Sequence, residues 1–242
     1  NYNLTLLPGP VLPGLTNMQY LDIRYNYGQW AKVNAEDVQE ITMIEHFAGS
    51  FHDCDNFNNY VQATLDRGSG PKTYYLHWGI GPGYSSEYSY DYNFLTTDEC
   101  RIVSFGECTK LDHVLPTDIA RLCIAQNKQW RCLCDVLSFR SPSLMYIDIR
   151  VCPKLESLFC LTSPCSLCSN LQNLESLKLT SLEGLAEIWK ENEVIAKSIL
   201  SGGMFSHIKH LEVSKYHKIE KLRTIGPLLQ LKNLVTLDVK EL

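Results

Sequence analysis

The sequence lacks the features that define several large classes of protein. Its 242 residues contain no apolar run near the ~20 residues of a membrane-spanning helix, so we expect no membrane span. Basic charge is not in excess: the formal net charge is −5, and nothing points to nucleic acid as a partner. The N-terminus shows no basic stretch followed by an apolar one, so no signal peptide is expected.

Motifs for catalysis and nucleotide binding are missing too. No Gly-x-x-x-x-Gly-Lys-Ser/Thr string occurs, so we expect these residues to bind neither ATP nor ADP. Gly79-Ile-Gly-Pro-Gly83 superficially resembles a phosphate loop, but it lacks a lysine and a following helix start, and we interpret it as a flexible loop. None of the seven histidines pairs with a nucleophile in a strand–turn–helix setting. We therefore predict a non-enzymatic protein.

The ten cysteines do not form a metal-binding pattern. Cys165-Ser-Leu-Cys168 and Cys132-x-Cys134 suggest zinc, but structural zinc usually requires two properly spaced ligand pairs. Several cysteines fall at apolar positions of a repeat, where a thiol behaves as a small hydrophobe. We predict free thiols in a reducing compartment, with no metal and no cofactor.

What the sequence does contain is a phrase that recurs with a fixed internal register. Its cleanest copy is Leu174-x-x-Leu177-x-Leu179-x-x-Leu182-x-x-Leu185, and further copies begin at Met18, Ile119, Leu144, Ile208 and Leu234. An apolar pair two residues apart, followed by an Asn, Cys or apolar residue at the fifth place, is the leucine-rich repeat signature. The pair predicts a short strand. Fifth-place residues such as Asn127 and Cys152 are predicted to turn inward and serve the backbone of a tight turn.

The spacing of the phrases predicts the architecture. Clear strands are expected at Leu21, Leu122, Ile147, Leu177, Leu211 and Leu237, and three more within residues 41–51, 74–78 and 101–105. We predict an α/β fold: a leucine-rich repeat solenoid (horseshoe) with a parallel β ladder on the concave face and an irregular or helical convex side. Residues 1–242 are predicted to form a single domain of about nine irregular repeats. Insertions are expected near 79–98 and 184–203, the latter containing a helix over 186–200.

The candidate binding residues follow from the alternation of side chains along a strand. The polar members of each strand should face outward, and we predict that they form a partner-binding surface on the concave face: Tyr20, Asp22, Arg24, Arg121, Tyr146, Asp148, Arg150, Lys178, His210, Glu212, Asp238 and Lys240. The same alternation predicts that Cys123, Ser176, Thr180, Ser214 and Thr236 also face outward. Tyr75 and His77, in the N-terminal half where the strands are less clearly marked, are predicted to do the same. For any one residue, a merely solvated position is the simpler interpretation. Tyr together with Arg is typical of binding hot spots, and the mixed charges favour a protein partner.

The order of several phrases also carries a resemblance. They are Cys152-Pro-Lys-Leu155, residues 171–179, 185–189, 205–213 and 228–234, Phe57-Asn-Asn-Tyr-Val61, Pro71-x-x-Tyr74-x-Leu76 and Leu115-Pro116-x-x-Ile119. Over nearly the whole chain this order resembles the leucine-rich repeat region of plant intracellular disease-resistance proteins of the coiled-coil nucleotide-binding type.

The resemblance implies a fragment of a larger immune receptor. Its expected role is to recognise a pathogen effector or a guarded host protein, and to contact the receptor's nucleotide-binding domain so that the receptor stays inactive. ADP or ATP would then bind only in that domain, which is absent from these residues. A cytoplasmic location is implied, with a nuclear one or one peripheral to the plasma membrane as further options. The alternative is the substrate-recruiting leucine-rich repeat domain of an F-box ubiquitin ligase subunit.

Overall fold

The computed structural model describes residues 12, 14–24, 31–79, 100–107, 114–133, 141–160, 171–190, 205–214 and 231–240. The chain forms two compact units. Unit 1 comprises residues 1–108 and 114–116, and unit 2 comprises residues 109–113 and 117–242.

The described residues of unit 1 form a parallel sheet and two helices. Its described elements are β1 (Tyr20–Asp22), β2 (Lys32–Val33), α1 (Ala35–Gln39), β3 (His46–Phe51), α2 (Cys54–Arg67), β4 (Thr73–Trp78) and β5 (Arg101–Phe105). The strands lie in the order β1-β3-β4-β5, all parallel, and β2 pairs with the end of β3. The strands predicted within 41–51, 74–78 and 101–105 are thereby confirmed.

Helix α2 covers one face of the unit 1 sheet. The ring of Tyr60 lies 5.4 Å from Phe47 and 5.2 Å from Phe51, and Phe57 lies 5.5 Å from Phe105, as centroid distances. The opposite face of the central strands is buried as well. A parallel sheet buried on both faces has nearly continuous apolar strands, so no alternation marks a solvent side.

Unit 2 is a parallel β-solenoid of about five turns. Its main sheet contains β6 (Arg121–Ala125), β7 (Tyr146–Arg150), β9 (Ser176–Thr180), β11 (His210–Ser214) and β12 (Thr236–Lys240). Neighbouring strands pair in parallel with a uniform register, so that Leu122, Ile147, Leu177 and Leu211 lie side by side. Two further strands, β8 (Ser157–Cys160) and β10 (Glu187–Lys190), form a second parallel pair.

The first apolar residue of the repeated phrase closes a tight turn just before the strand. In the best copy, the amide of Leu174 donates to the carbonyl of Leu171 at 3.2 Å, and Leu171–Asn173 form a short 3-10 helix. The same bond occurs at Leu144, Leu155, Leu185, Ile208 and Leu234. The carbonyl of Met145 then accepts two amides of the next repeat, from Glu175 at 2.8 Å and Ser176 at 3.0 Å. Each repeat is thus hydrogen-bonded to the next one where its strand begins.

The chain leaves β6, β7 and β9 through a residue in the left-handed region. Gln126, Val151 and Ser181 have φ of 57°, 54° and 54° and directly follow β6, β7 and β9. This conformation is unusual for non-glycine residues and most unusual for a β-branched one. It turns the following residue into the core, as predicted: Asn127 is fully buried and accepts the amides of Gln129 and Trp130, both at 2.9 Å.

One predicted element is wrong. The helix expected over 186–200 does not begin there, because Glu187–Lys190 form β10 and pair in parallel with β8. Backbone pairing with the preceding repeat overrides the local helical preference of this segment. The rest of the predicted helix, and nearly all of the insertion expected near 79–98, lie outside the described residues.

Candidate partner-binding face

The face of the unit 2 sheet opposite its core is polar, and its side chains form three rows across the strands. The rows are Arg121, Tyr146, Ser176, His210 and Thr236; Cys123, Asp148, Lys178, Glu212 and Asp238; and Ala125, Arg150, Thr180, Ser214 and Lys240. We call this surface the polar face. Nine of the twelve predicted binding residues lie on it, whereas Tyr20, Asp22 and Arg24 lie in unit 1.

The polar face contains a forked ion pair within a single strand. Arg150 donates from Nε to Asp148 Oδ1 at 2.9 Å and from Nη2 to Asp148 Oδ2 at 2.6 Å. Only 12% of the arginine side chain and 17% of the aspartate side chain are exposed. A two-point arginine–carboxylate bond fixes the plane of both groups, so this pair is held rigidly on β7.

The remaining charges of the polar face are also paired with each other. Lys178 lies 2.9 Å from Glu212 on the neighbouring strand, and Lys240 lies 2.5 Å from Asp238 on its own strand. Opposite charges on adjacent strands stabilise a sheet modestly. With Arg121 included, four cationic side chains stand against three anionic ones, so the surface is nearly neutral.

A cation–π contact stands at the β6 edge of the first row. The guanidinium carbon of Arg121 lies 4.7 Å from the centroid of the Tyr146 ring. Because the two residues are register partners on β6 and β7, the ring turns one face toward β6 and the other toward β9. Tyr and Arg held together in this way are the residue types most often found at binding hot spots.

The three predicted residues of unit 1 form a similar cluster with partners that the repeat pattern did not identify. Tyr20 is 64% exposed and stacks on His46, with centroids 4.4 Å apart and an 11° angle between the rings. Arg24 donates from Nε to Asp22 Oδ1 at 2.9 Å and from Nη2 to Oδ2 at 2.5 Å. Its guanidinium carbon also lies 5.6 Å from the ring centroid of Tyr75.

The Asp22–Arg24 fork changes the ionisation of both groups. Burial alone would raise the pKa of Asp22, but the hydrogen bonds and charge of Arg24 outweigh burial and lower it. Burial would likewise lower the pKa of Arg24, and the contact with Asp22 raises it. Both side chains are therefore charged at neutral pH.

The two forks come from nearly identical sequence. Tyr20-Leu-Asp-Ile-Arg24 and Tyr146-Ile-Asp-Ile-Arg150 differ at one apolar position, and each places the aspartate on the strand and the arginine two residues later. Since residues two apart on a strand share a face, the fork follows from this spacing. The recurrence of the five-residue phrase is the sequence signal that could have identified it.

Three residues predicted to face outward are buried. Cys123, Thr180 and Ser214 are at most 8% exposed, and the hydroxyl of Ser214 donates to that of Thr180 at 3.2 Å. Small side chains beside larger charged ones are covered by them. Burial, and then the nearby carboxylate of Asp148, raise the pKa of Cys123 to about 12, so its thiol is protonated at neutral pH and is a poor nucleophile.

Tyr75 and His77 are buried as well, because the unit 1 sheet is covered on both faces. They are 5% and 2% exposed. His77 is the register partner of Ser50 on one side and Ser104 on the other, and all three are buried. Burial, assisted by the charge of Lys32, lowers the pKa of His77 to about 4.

The described His, Cys, Asp and Glu side chains do not form a metal site. Among the residues that the structure describes, no group of three or more His, Cys, Asp or Glu side chains is arranged to hold a metal ion. Cys123 and Cys152 are free thiols, as predicted. The side chains of Cys134, Cys160, Cys165 and Cys168, which carried the zinc alternative with Cys132, lie outside the described part of the chain.

Within the described ranges, no helix combines the length and the apolar character that crossing a bilayer demands. A scan of protein-family models and searches of curated proteins and of solved structures give no match to this chain.

Proposed function

We propose that this chain is the leucine-rich repeat region of a plant intracellular immune receptor of the coiled-coil nucleotide-binding type, and that its polar face binds a protein. The observation that carries the proposal is the register of the unit 2 sheet. Nine predicted residues from five strands lie on one surface, and the alternate residues of β6, β7, β9 and β11 are buried in the core.

The chemistry of this surface supports a protein partner. Its charges are mixed in sign and nearly balanced, which suits a protein surface better than a polyanion. Tyr146 under Arg121 offers a large, rigid contact area at little entropic cost. A pathogen effector or a guarded host protein would bind there, and the nucleotide-binding domain of the same receptor would contact the repeats in the resting state. Bending of the solenoid into a horseshoe would place this face on the concave side.

Substitutions on the polar face should weaken binding of the true partner. The chain would be expressed in leaf tissue with a proximity-labelling tag, and each enriched candidate would be purified and titrated by calorimetry. Tyr146→Ala and the charge reversal Glu212→Lys are each expected to weaken binding about tenfold or more, since central aromatic and desolvated charged contacts dominate interfaces.

The matched control is Glu156→Ala. Glu156 is exposed, lies outside the polar face and forms only a loose pair with Arg131 at 3.6 Å, so its loss should leave affinity unchanged. Equal affinity of both polar-face variants for a confirmed partner would place the site elsewhere. In the full-length gene, a Gly-x-x-x-x-Gly-Lys-Ser/Thr loop upstream would support the receptor assignment, and an F-box would overturn it.

A further inference from the structure

In the first row of the polar face, one strand position separates two ring-bearing residues, and we call the space over that position, between the rings of Tyr146 and His210, the slot. Tyr146 and His210 lie on β7 and β11, and the strand between them, β9, carries only the small side chain of Ser176 at the same register. Two strand spacings separate the ring-bearing positions by roughly 9.6 Å. Aromatic rings stack with centroids about 4.5–7 Å apart, so this spacing leaves room for one planar group between the two rings.

The orientation of Tyr146 directs its free ring face into this slot. Arg121 covers the face turned toward β6, with its guanidinium 4.7 Å from the ring centroid. On the far side of the slot, the Nδ1 atom of His210 lies 3.2 Å from the hydroxyl of Thr236, so this nitrogen is engaged on the side away from Tyr146. The rings of Tyr146 and His210 are thus each held by a contact on the side away from the slot.

The polar groups around the slot are available to a partner. Within the described residues, no hydrogen-bond partner is found for the hydroxyls of Tyr146 and Ser176 or for Nε2 of His210. The charged groups of the next row are occupied, because Asp148 is held by Arg150 and Lys178 by Glu212. Recognition at this point therefore depends on stacking and on neutral hydrogen bonds rather than on charge.

Unit 1 contains a tyrosine–histidine pair with no strand between the two residues. There Tyr20 and His46 occupy adjacent strands and stack directly, with centroids 4.4 Å apart. In unit 2 the tyrosine and the histidine are one strand further apart. A third ring inserted over Ser176 would lie about 4.8 Å from the rings of Tyr146 and His210. This distance is close to the 4.4 Å between the stacked rings of Tyr20 and His46.

We infer that the slot over Ser176 receives an aromatic side chain of the partner protein, stacked between Tyr146 and His210. This inference rests on the proposed function and specifies the chemistry of the contact. The partner segment would present a tryptophan or tyrosine, and binding through this slot would depend little on salt, because the polar face is nearly neutral and offers no strong field.

The test uses small aromatic probes and the ring signals of the intact chain. Nuclear magnetic resonance spectra of protein labelled in its tyrosine and histidine rings would be recorded with N-acetyl-tryptophanamide, and with N-acetyl-leucinamide as the non-aromatic control. Saturable upfield shifts are expected at Tyr146 and His210 with the tryptophan probe. Tyr146→Ala should weaken probe binding about tenfold or more, the loss of one stacking wall.

Two substitutions at one position make the test specific. Ser176→Phe fills the slot with the chain's own ring and should abolish the shift at His210, whereas Ser176→Ala keeps the slot open and should preserve it. Circular dichroism confirms that each variant is folded; if Ser176→Phe does not fold, Tyr146→Ala decides. Absent shifts, equal shifts with the leucine probe, or shifts that persist in Ser176→Phe would overturn the inference.

The outcome is separable from that of the proposed function. If Tyr146→Ala and Glu212→Lys weaken partner binding but the probe causes no shift, only the slot is refuted. If the probe occupies the slot but no polar-face substitution affects binding of a confirmed partner, the proposed function fails. Binding of an aromatic group between Tyr146 and His210 then still stands.

Discussion

Replacing Leu177 by aspartate is expected to unfold unit 2 or to leave it molten. Leu177 is fully buried on β9, the third of the five main strands of unit 2, between Ile147 and Leu211. The substitution removes about 1.5–3 kcal/mol of apolar burial and adds an unpaired buried carboxylate, so the total loss exceeds about 4 kcal/mol. Because each repeat of a solenoid is stabilised by its neighbours, the damage should spread to the adjacent repeats.

The matched control is the same substitution one residue earlier. Ser176→Asp introduces the same charge on the polar face, where the side chain is partly exposed, and should change the free energy of unfolding by less than about 1 kcal/mol. Both variants would be compared by circular-dichroism melting and urea unfolding. A melt of Leu177→Asp that matches the wild type, or equal losses for both variants, would refute the assignment of faces.

A second large effect is expected from the buried imidazole of His77 as the pH falls. Its folded-state pKa of about 4 lies below the ordinary 6.5, so the neutral form is favoured in the native state. Above pH 6.5 the imidazole is neutral in both the folded and the unfolded chain, and its contribution to the free energy of unfolding is fully present. Between pH 6.5 and 4 only the unfolded chain takes up the proton. The free energy of unfolding should therefore fall by about 3 kcal/mol between pH 7.5 and pH 4 from this group alone.

The measurement compares this fall in wild type and in His77→Gln, which cannot take up the proton. Urea unfolding at pH 7.5 and pH 4 gives the fall in the free energy of unfolding for each protein. Contributions from groups that titrate in both proteins cancel when the two falls are subtracted. Ser50→Ala serves as control, because Ser50 is the buried register partner of His77 and does not titrate. It should retain the full dependence on pH. An identical dependence in His77→Gln would show that His77 is not buried in neutral form.

The strands of the main sheets were predictable because their signal is local. An apolar pair two residues apart, preceded by a leucine-spaced turn, marks β7, β9 and β11 in the sequence, and the structure places strands there with the same inward residues. The inward fifth place was predictable for the same reason, since Asn127 supplies an acceptor that a tight turn requires.

The helices and the second strand pair were missed for physical reasons. Helix α2 carries ordinary end signals: Asp53 accepts the amide of Asn56 at 2.8 Å, and Gly68 ends the helix with φ of 64°. The apolar-pair pattern has the two-residue period of a strand, so it does not indicate a helix between strands. Strands β8 and β10 exist through pairing between repeats, which single-segment propensity cannot reveal.

The site was predictable as a face but not as a set of contacts. Alternation identified which side chains of unit 2 share the polar face. It could not show that Cys123 is covered, that Lys178 is already paired with Glu212, or that His46 stacks on Tyr20. Such facts depend on which residues are register partners, and the irregular lengths between strands leave the register open until the sheet is seen.

The side-by-side stacking of the unit 2 strands is the central claim, and distances across the polar face test it most directly. Spin labels on genetically encoded residues, which leave the cysteines untouched, would be placed at Arg121 together with Ser176, His210 or Thr236. Electron paramagnetic resonance should give separations that rise in that order, on the order of 10, 14 and 19 Å for two, three and four strand spacings. Separations that do not rise in this order would contradict the parallel ladder and, with it, the polar face as a binding surface.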